Sequence, residues 1–293
     1  MAYPKENPSS TRHIAGIGAV TLFCAIAAPW ELAHAMGEKV GVVPHRAYYQ
    51  LRLSKMEERS GIREATGRMV IEITGSRCDG WAVNVRFANA FTVQKGQSRV
   101  LDNVDSYYEA GDGSLLQFSS RQYLNGNLQN ETKGTAKIDL DEGKSKGGSV
   151  KLDQPPDQNF KLPAGTIFPL AHTERLLQRA AGGDNFDQIR IYDGDAKQTI
   201  YFASSVIGKR RAELEDSSGV LEPLAGVAYW PVNVSYYDSK RESYAGGEQV
   251  PSHQVGYAMF ANGVSGDLTI DYGDFSLKGK LSKLEMLEKV ECE

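Results

Sequence analysis

The residues able to do covalent or acid–base chemistry are few, and their spacing does not suit catalysis. Of the three cysteines, Cys24, Cys78 and Cys292, no two have the Cys-x-x-Cys spacing of redox or metal work. His45, His172 and His253 lie far apart, without the His-x-x-x-His or His-Glu-x-x-His pattern, and no Gly-x-Ser-x-Gly elbow occurs. A Ser-His-Asp triad assembled from remote positions is the one nucleophilic arrangement that spacing does not address. Asp193-Gly194-Asp195 offers two acids, but Asp-Gly is also an ordinary hairpin turn, and a glycosidase pair must flank a cleft at a defined separation. Asp139, Asp141 and Glu142 lack the alternating order of a calcium loop, and Gly182-Gly183 and Gly246-Gly247 lack the spacing and following helix of a phosphate cradle. These residues predict a non-enzymatic chain with no catalytic group, no metal and no cofactor.

Aromatic side chains are the more informative set. Tyr48-Tyr49, Tyr107-Tyr108, Tyr201-Phe202, Tyr229-Trp230 and Tyr236-Tyr237 are adjacent pairs, so on a strand each pair sends one ring to either face. The inner rings either fill a core or line a ligand groove; neither needs catalysis.

The N-terminal stretch decides how the cysteines are read. Lys5, Arg12 and His13 precede an apolar, small-residue run from Ile14 to Ala28, and Ala33-His34-Ala35 follows as a small-x-small triplet before Met36. That is the layout of a secretory signal peptide over residues 1–35, with residues 36–293 as the exported domain. An uncleaved anchor is the competing reading, although the run is short for a membrane span. Phe23 directly before Cys24 argues against a lipid-modified cysteine. Cys24 then leaves with the signal, and the even pair Cys78 and Cys292 reads as a disulfide, against the alternative of two unpaired thiols. Closing a loop of that length stabilises by about 5 kcal/mol in the chain-entropy model.

The elements that must hold these residues are mostly strands. Ala47, Tyr49, Leu51 and Leu53 alternate with polar neighbours; Met69, Ile71 and Ile73 do so up to Gly75; Trp81, Val83, Val85 and Phe87 share a face. Further strand patterns run through Arg99 to Glu109, Ser114 to Tyr123 and Asn127 to Leu140, with turns at Gly111-Asp112-Gly113 and Asn125-Gly126. Asp141 to Gly148 reads as a charged loop before Val150 and Leu152. One helix is predicted over His172 to Ala181, stopped by Gly182-Gly183. Strands resume at Phe186 to Tyr192, Gln198 to Ile207, Val227 to Tyr237, Gln254 to Ala261, Leu268 to Tyr272 and Phe275 to Leu287; Leu281, Leu284, Leu287 and Val290 would also suit a helix, but Ser276 and Lys278 alternate with Phe275 and Leu277 and favour strand. More than ten strands cannot stay flat, so the expectation is an all-β domain with one helix: a single curled antiparallel sheet around an apolar interior. The formal charge of −4 and scattered basic residues point away from nucleic acid, and no second apolar stretch approaches membrane-spanning length.

Several of these segments together resemble the alphaproteobacterial EipB family of cell-envelope integrity proteins: His45-Arg46-Ala47 leading into Tyr49-Leu51-Leu53, Cys78-Asp79-Gly80-Trp81, Leu162-Pro-Ala-Gly-Thr-Ile-Phe-Pro169 with the helix after it, and Asp274-Phe-Ser-Leu277 leading to a terminal cysteine. The resemblance implies a periplasmic protein, a β-spiral fold like an unclosed barrel, an internal Cys78–Cys292 disulfide and a role in envelope maintenance without a known reaction. It also places His45, Arg46 and the helix beginning near Phe168 by the mouth of a cavity; with Tyr49, Trp81 and His172 they make up the expected binding set. Three functions follow in order: a carrier whose curled sheet holds a lipid, a lipoprotein acyl chain or a polypeptide segment; an interaction scaffold for another periplasmic protein; and an envelope-polymer hydrolase.

Overall fold

The computed structural model describes residues 40–93, 96–194, 199–212, 214, 218–239, 249–290 and 292. The expected signal segment with Cys24, Asp195, and the Gly246-Gly247 pair lie outside the described residues. Fifteen strands and one α-helix follow in chain order: β1 (His45–Met56), β2 (Ile62–Ser76), β3 (Gly80–Val93), β4 (Ser98–Glu109), β5 (Leu115–Leu124), β6 (Asn127–Asp141), β7 (Lys144–Gln154), β8 (Gln158–Leu162), β9 (Thr166–Ile167), α1 (Pro169–Ala181), β10 (Phe186–Ile191), β11 (Tyr201–Ile207), β12 (Tyr229–Asp238), β13 (His253–Phe260), β14 (Ser265–Asp271) and β15 (Phe275–Met286). All strands belong to one sheet, in the order β8-β7-β6-β5-β4-β3-β2-β1-β15-β14-β13-β12-β11-β10-β9.

Two meanders, β1 to β8 and β9 to β15, meet where β1 pairs with β15. Because β2 and β15 both run antiparallel to β1, they point the same way: His45 lies opposite Ile73 on one side and Met286 on the other. The segments that leave β2 and β15 therefore emerge at the same end of the wall. Cys78 and Cys292 lie just beyond those strand ends and are joined there, with Cα atoms 5.7 Å apart. The turn carrying Cys78 is held by Ser76 Oγ, which donates to Asp79 at 3.0 Å, and by Tyr108, whose hydroxyl donates to the Asp79 carbonyl at 2.8 Å. Gly75 has φ +102, and a Cβ there would stand 2.2 Å from the Gly80 carbonyl, so only glycine fits this close approach.

The wall nearly closes on itself. Segment 158–167 first pairs with β7 as β8 and then continues as β9, where Arg190 and Ile191 of β10 pair with Thr166 and Ile167. Between the two pairings Gly165 N–H donates to the Ser145 carbonyl of β7 at 3.0 Å. One short segment thus bridges both edges at one end of the seam, while β8 has no strand partner except β7 among the described residues. The β9–β10 pair is the sole parallel pairing in the sheet among those residues, and β8 and β9 are strands that sequence pattern did not reveal. The segment read as a charged loop, Asp141 to Gly148, is mostly strand: the turn is confined to Glu142 and Gly143 and β7 starts at Lys144. Asn125 and Gly126 take φ 51 and 80, the left-handed pair that a two-residue hairpin requires. Asp193-Gly194 belongs instead to a longer connection from Ile191 to Tyr201, where Gly194 packs against the Phe118 ring.

Helix α1 caps one end of the curled sheet. Pro169 opens it, and Leu170, His172, Leu176, Leu177 and Ala180 are buried. Its buried stripe joins Trp81, Val83, Ile191, Ala203, Trp230, Val232, Val234 and Met259 in one cluster, so sheet and helix share a core. A second cluster fills the β5–β8 region around Phe118, Phe160, Phe168 and Tyr192, the Tyr192 ring lying edge-on to Phe118 and Phe160.

Candidate functional site

Helix α1 is positioned from outside itself. Its N-cap, Phe168, offers no capping side chain. The carboxylate of Glu109, at the end of β4, accepts instead from Leu170 N at 2.8 Å and Ala171 N at 2.7 Å, satisfying two of the free N–H groups of the first turn. Burial pushes this carboxyl up to about 7, against the two backbone hydrogen bonds that favour its charged form. On the other side Arg175 forks onto buried Asp187 of β10 with two bonds of 2.7 Å, and Arg179 lies 3.4 Å from the same carboxylate. Arg77, in the turn of the disulfide, pairs with Glu174 at 2.9 Å. Strand, seam and staple are each tied to the helix by an ionic or capping contact.

Two clefts flank this helix, of about 430 and 220 Å3, and share Arg77, Trp81, Glu174 and Gln178. The larger also touches Val40, Pro44, Lys289 and Cys292; the smaller reaches Glu109, Ile138, Thr166 and Arg175. Trp81 is buried between them, and its Nε1 has no hydrogen-bond partner among the described residues.

The expected binding residues do not form one site. Tyr49 is buried in a separate cluster near β15, its hydroxyl donating to the Ser265 carbonyl at 2.6 Å. His45 is buried with Nδ1 2.7 Å from the Val43 carbonyl, and burial lowers its pKa, so it stays neutral. Arg46 faces outward and pairs with Glu72 and Glu285, bridging the strands on either side of β1. Phe168 is fully buried in the second cluster. His172 is buried in α1 with Nε2 unpartnered among the described residues; burial lowers its pKa to about 4, Asp187 opposing and Arg175 adding to the shift. Of the six, Trp81 alone lines either of these clefts.

The inner wall holds what that set misses. Register fixes the inward face: buried Val83 pairs with Tyr107 and stands two residues from Val85 and four from Phe87, while buried Val232 pairs with Tyr257 and buried Val234 with Val255. Ile71, Val85, Phe87, Tyr107, Ile189, Tyr236 and Tyr257 all pack inward, yet each retains accessible surface. Tyr236 stacks on His253 with centroids 4.5 Å apart, and Tyr201 meets both rings edge-on. These side chains form the inner face of the curl and are only partly covered there. The alternating aromatic pairs were the available signal for Tyr107 and Tyr236; Tyr257 stands alone in Val255-Gly-Tyr257 and gives none.

The class defined by this architecture is a single spiral β-sheet, nearly closed into a barrel, capped by one helix and tied at that end by a disulfide. Comparison with known proteins is consistent throughout the domain: the chain belongs to the EipB-like family, whose model matches residues 36–288. It is 35% identical over 250 residues to the cell envelope integrity protein EipB of Brucella abortus (strain 2308), an alignment covering 85% of this chain and 86% of that protein. A crystal structure of a β-barrel-like protein of a domain of unknown function from Brucella abortus superposes with TM-score 0.76 at 33% identity, covering 85% of this chain and all of that one. No helix among the described residues is long and apolar enough to cross a membrane.

Proposed function

We propose that this protein supports cell-envelope integrity from the periplasm, without catalysis, by holding an acyl chain of a lipid or lipoprotein inside its curled sheet. The name of its Brucella relative and the family membership support the envelope role. The observation that carries the binding reading is the inward ring of Ile71, Val85, Phe87, Tyr107, Ile189, Tyr236 and Tyr257, which packs inward without being closed off. An apolar lining with a few polar groups binds by contact area, which suits an acyl chain better than a polar metabolite. Native mass spectrometry of the chain purified from envelope extracts is expected to show a co-purifying acyl species, and a fluorescent acyl probe is expected to bind the delipidated protein. Failure of both on folded, disulfide-intact protein removes the carrier reading.

A second reading, a docking surface for another envelope protein, draws on one feature. Phe186 and Val206 are cross-strand partners on the outer face of β10 and β11 and are 49% and 57% exposed. Phe186→Ser/Val206→Ser is expected to leave acyl-probe binding intact; loss of envelope function in cells with retained probe binding favours docking over carriage.

A further inference from the structure

We infer that the interior takes an acyl chain whose polar end is an uncharged ester or amide, and that the hydroxyls of Tyr107, Tyr236 and Tyr257 hold its carbonyl oxygens. This rests on the acyl-binding reading above and adds the chemistry of the head. Tyr107 is on β4, Tyr236 on β12 and Tyr257 on β13, and six strands lie between β4 and β12 along the sheet. Tyr107, Tyr236 and Tyr257 nevertheless pack against one and the same buried cluster, and Tyr236 is near enough to raise both Tyr107 and Tyr257. Residues so remote along a curled wall meet only across its interior.

The three hydroxyls make no hydrogen bond among the described residues, although neighbouring Tyr49 and Tyr108 each donate to a carbonyl. None is among the sealed polar atoms that lack a partner, and each tyrosine keeps accessible surface while burial pushes its phenol far above the ordinary range. They are protonated donors, enclosed by protein and open to the internal space. A buried donor without a partner is costly, so an acceptor delivered there is favoured.

The surrounding charges select the acceptor. Among the inward positions of β3, β4, β5, β10, β11, β12 and β13 the register places one basic residue, Arg99, which pairs with Phe91, is exposed and lies eight residues along β4 from Tyr107. The same positions carry Asp105, Glu109, Asp187 and Asp238, and Asp193 lies near enough to raise both Tyr107 and Tyr236. His253, stacked on Tyr236, is kept neutral by burial, which lowers its pKa. Beside the three tyrosines a carboxylate or phosphate head would meet carboxylates and, among the described residues, no unpaired cation, Arg175 being held by Asp187; an ester or amide carbonyl meets the phenol donors without that repulsion. A cationic head finds these acids engaged: Asp105 accepts from Ser120, Glu109 from α1 and Asp187 from Arg175, and Asp193 and Asp238 have interactions of their own.

The test is displacement of N-phenyl-1-naphthylamine from the disulfide-intact chain by three ligands with one oleyl-length chain: monoolein, oleate and oleylamine. Monoolein is expected to compete at roughly tenfold lower concentration than the other two, and the ratio is expected to fall to about one in Tyr107→Phe/Tyr236→Phe/Tyr257→Phe. Should that variant not fold, Tyr257→Phe alone is expected to lower the ratio about threefold. Oleate or oleylamine binding as tightly as monoolein, or a preference that survives the loss of the hydroxyls, overturns the inference while leaving acyl binding in place. If the reporter and all three chains fail to bind the folded wild-type protein, the acyl-binding reading itself falls.

Discussion

Glu109 caps the first turn of α1, His172 is buried in that turn, and the two are shifted in opposite senses. Glu109 is raised to about 7 by burial, so the folded chain binds more protons than the unfolded one between the ordinary glutamate value and about pH 7; its stabilising contribution is present at low pH and is lost as pH rises through that window. His172 is lowered to about 4, so the folded chain binds fewer protons between pH 4 and the ordinary histidine value of 6.5; its contribution is present above that range and is lost on acidification. Each window corresponds to about 3 kcal/mol, and the two slopes nearly cancel in the wild type. Urea unfolding across pH 4.5 to 6.5 is therefore expected to give a steeper rise of stability with pH in Glu109→Gln than in wild type, and a fall with pH in His172→Gln. Parallel profiles for all three proteins would remove both assignments. Neither role was legible in the sequence. Glu109 ends a strand pattern some sixty residues before the helix it caps, and His172 occupies an apolar helical position that says nothing of its partners.

At the level of elements, the alternating patterns of β1, β2 and β3 and the Asn125-Gly126 turn could be read directly, because inward and outward residues differ in polarity there. The first half of β7 could not. Its Lys144-Ser-Lys-Gly-Gly stretch has no inward apolar side chain, because the backbone itself is the contact: a Cβ on Gly148 would stand 1.9 Å from the Lys137 carbonyl, and one on Gly147 would stand 2.7 Å from the Leu162 carbonyl. β8 and β9 are short and owe their place to the seam rather than to any pattern of their own. The cysteine pair was legible from count and context, and the strand directions explain it: β2 and β15 flank β1 and deliver Cys78 and Cys292 to one end. The double variant Cys78→Ser/Cys292→Ser is expected to melt roughly 10 °C lower, from the loop-closure term of about 5 kcal/mol discounted for residual structure in the unfolded chain. Calorimetry on the oxidised wild type and the double variant checks this; an unchanged melting temperature would show that the hairpins and α1 hold that end without the bond.

For the whole molecule, curling the sheet produces an inside, and the register decides what lies there. The sequence indicated that more than ten strands must curl and that aromatic pairs would divide between two faces, and Tyr107 faces in while Tyr108 faces out to Asp79. It could not indicate that residues on β4, β12 and β13 would meet, since that depends on how tightly the wall winds and where segment 158–167 closes it. The expected set of His45, Arg46, Tyr49, Trp81, Phe168 and His172 follows motifs that secure the strands, the helix and the staple, whereas the inner face of the curl is lined by residues that are individually ordinary. The central claim is that the acyl chain lies within the curl. The direct measurement is photocrosslinking with a diazirine-bearing acyl ester, followed by peptide mapping of the labelled residues. Labels on the inward positions of β3, β4 and β13, around Val85, Phe87, Tyr107 and Tyr257, are the expected result. Labels confined to outer residues such as Phe186 and Val206, or no specific label on the folded protein, would contradict it.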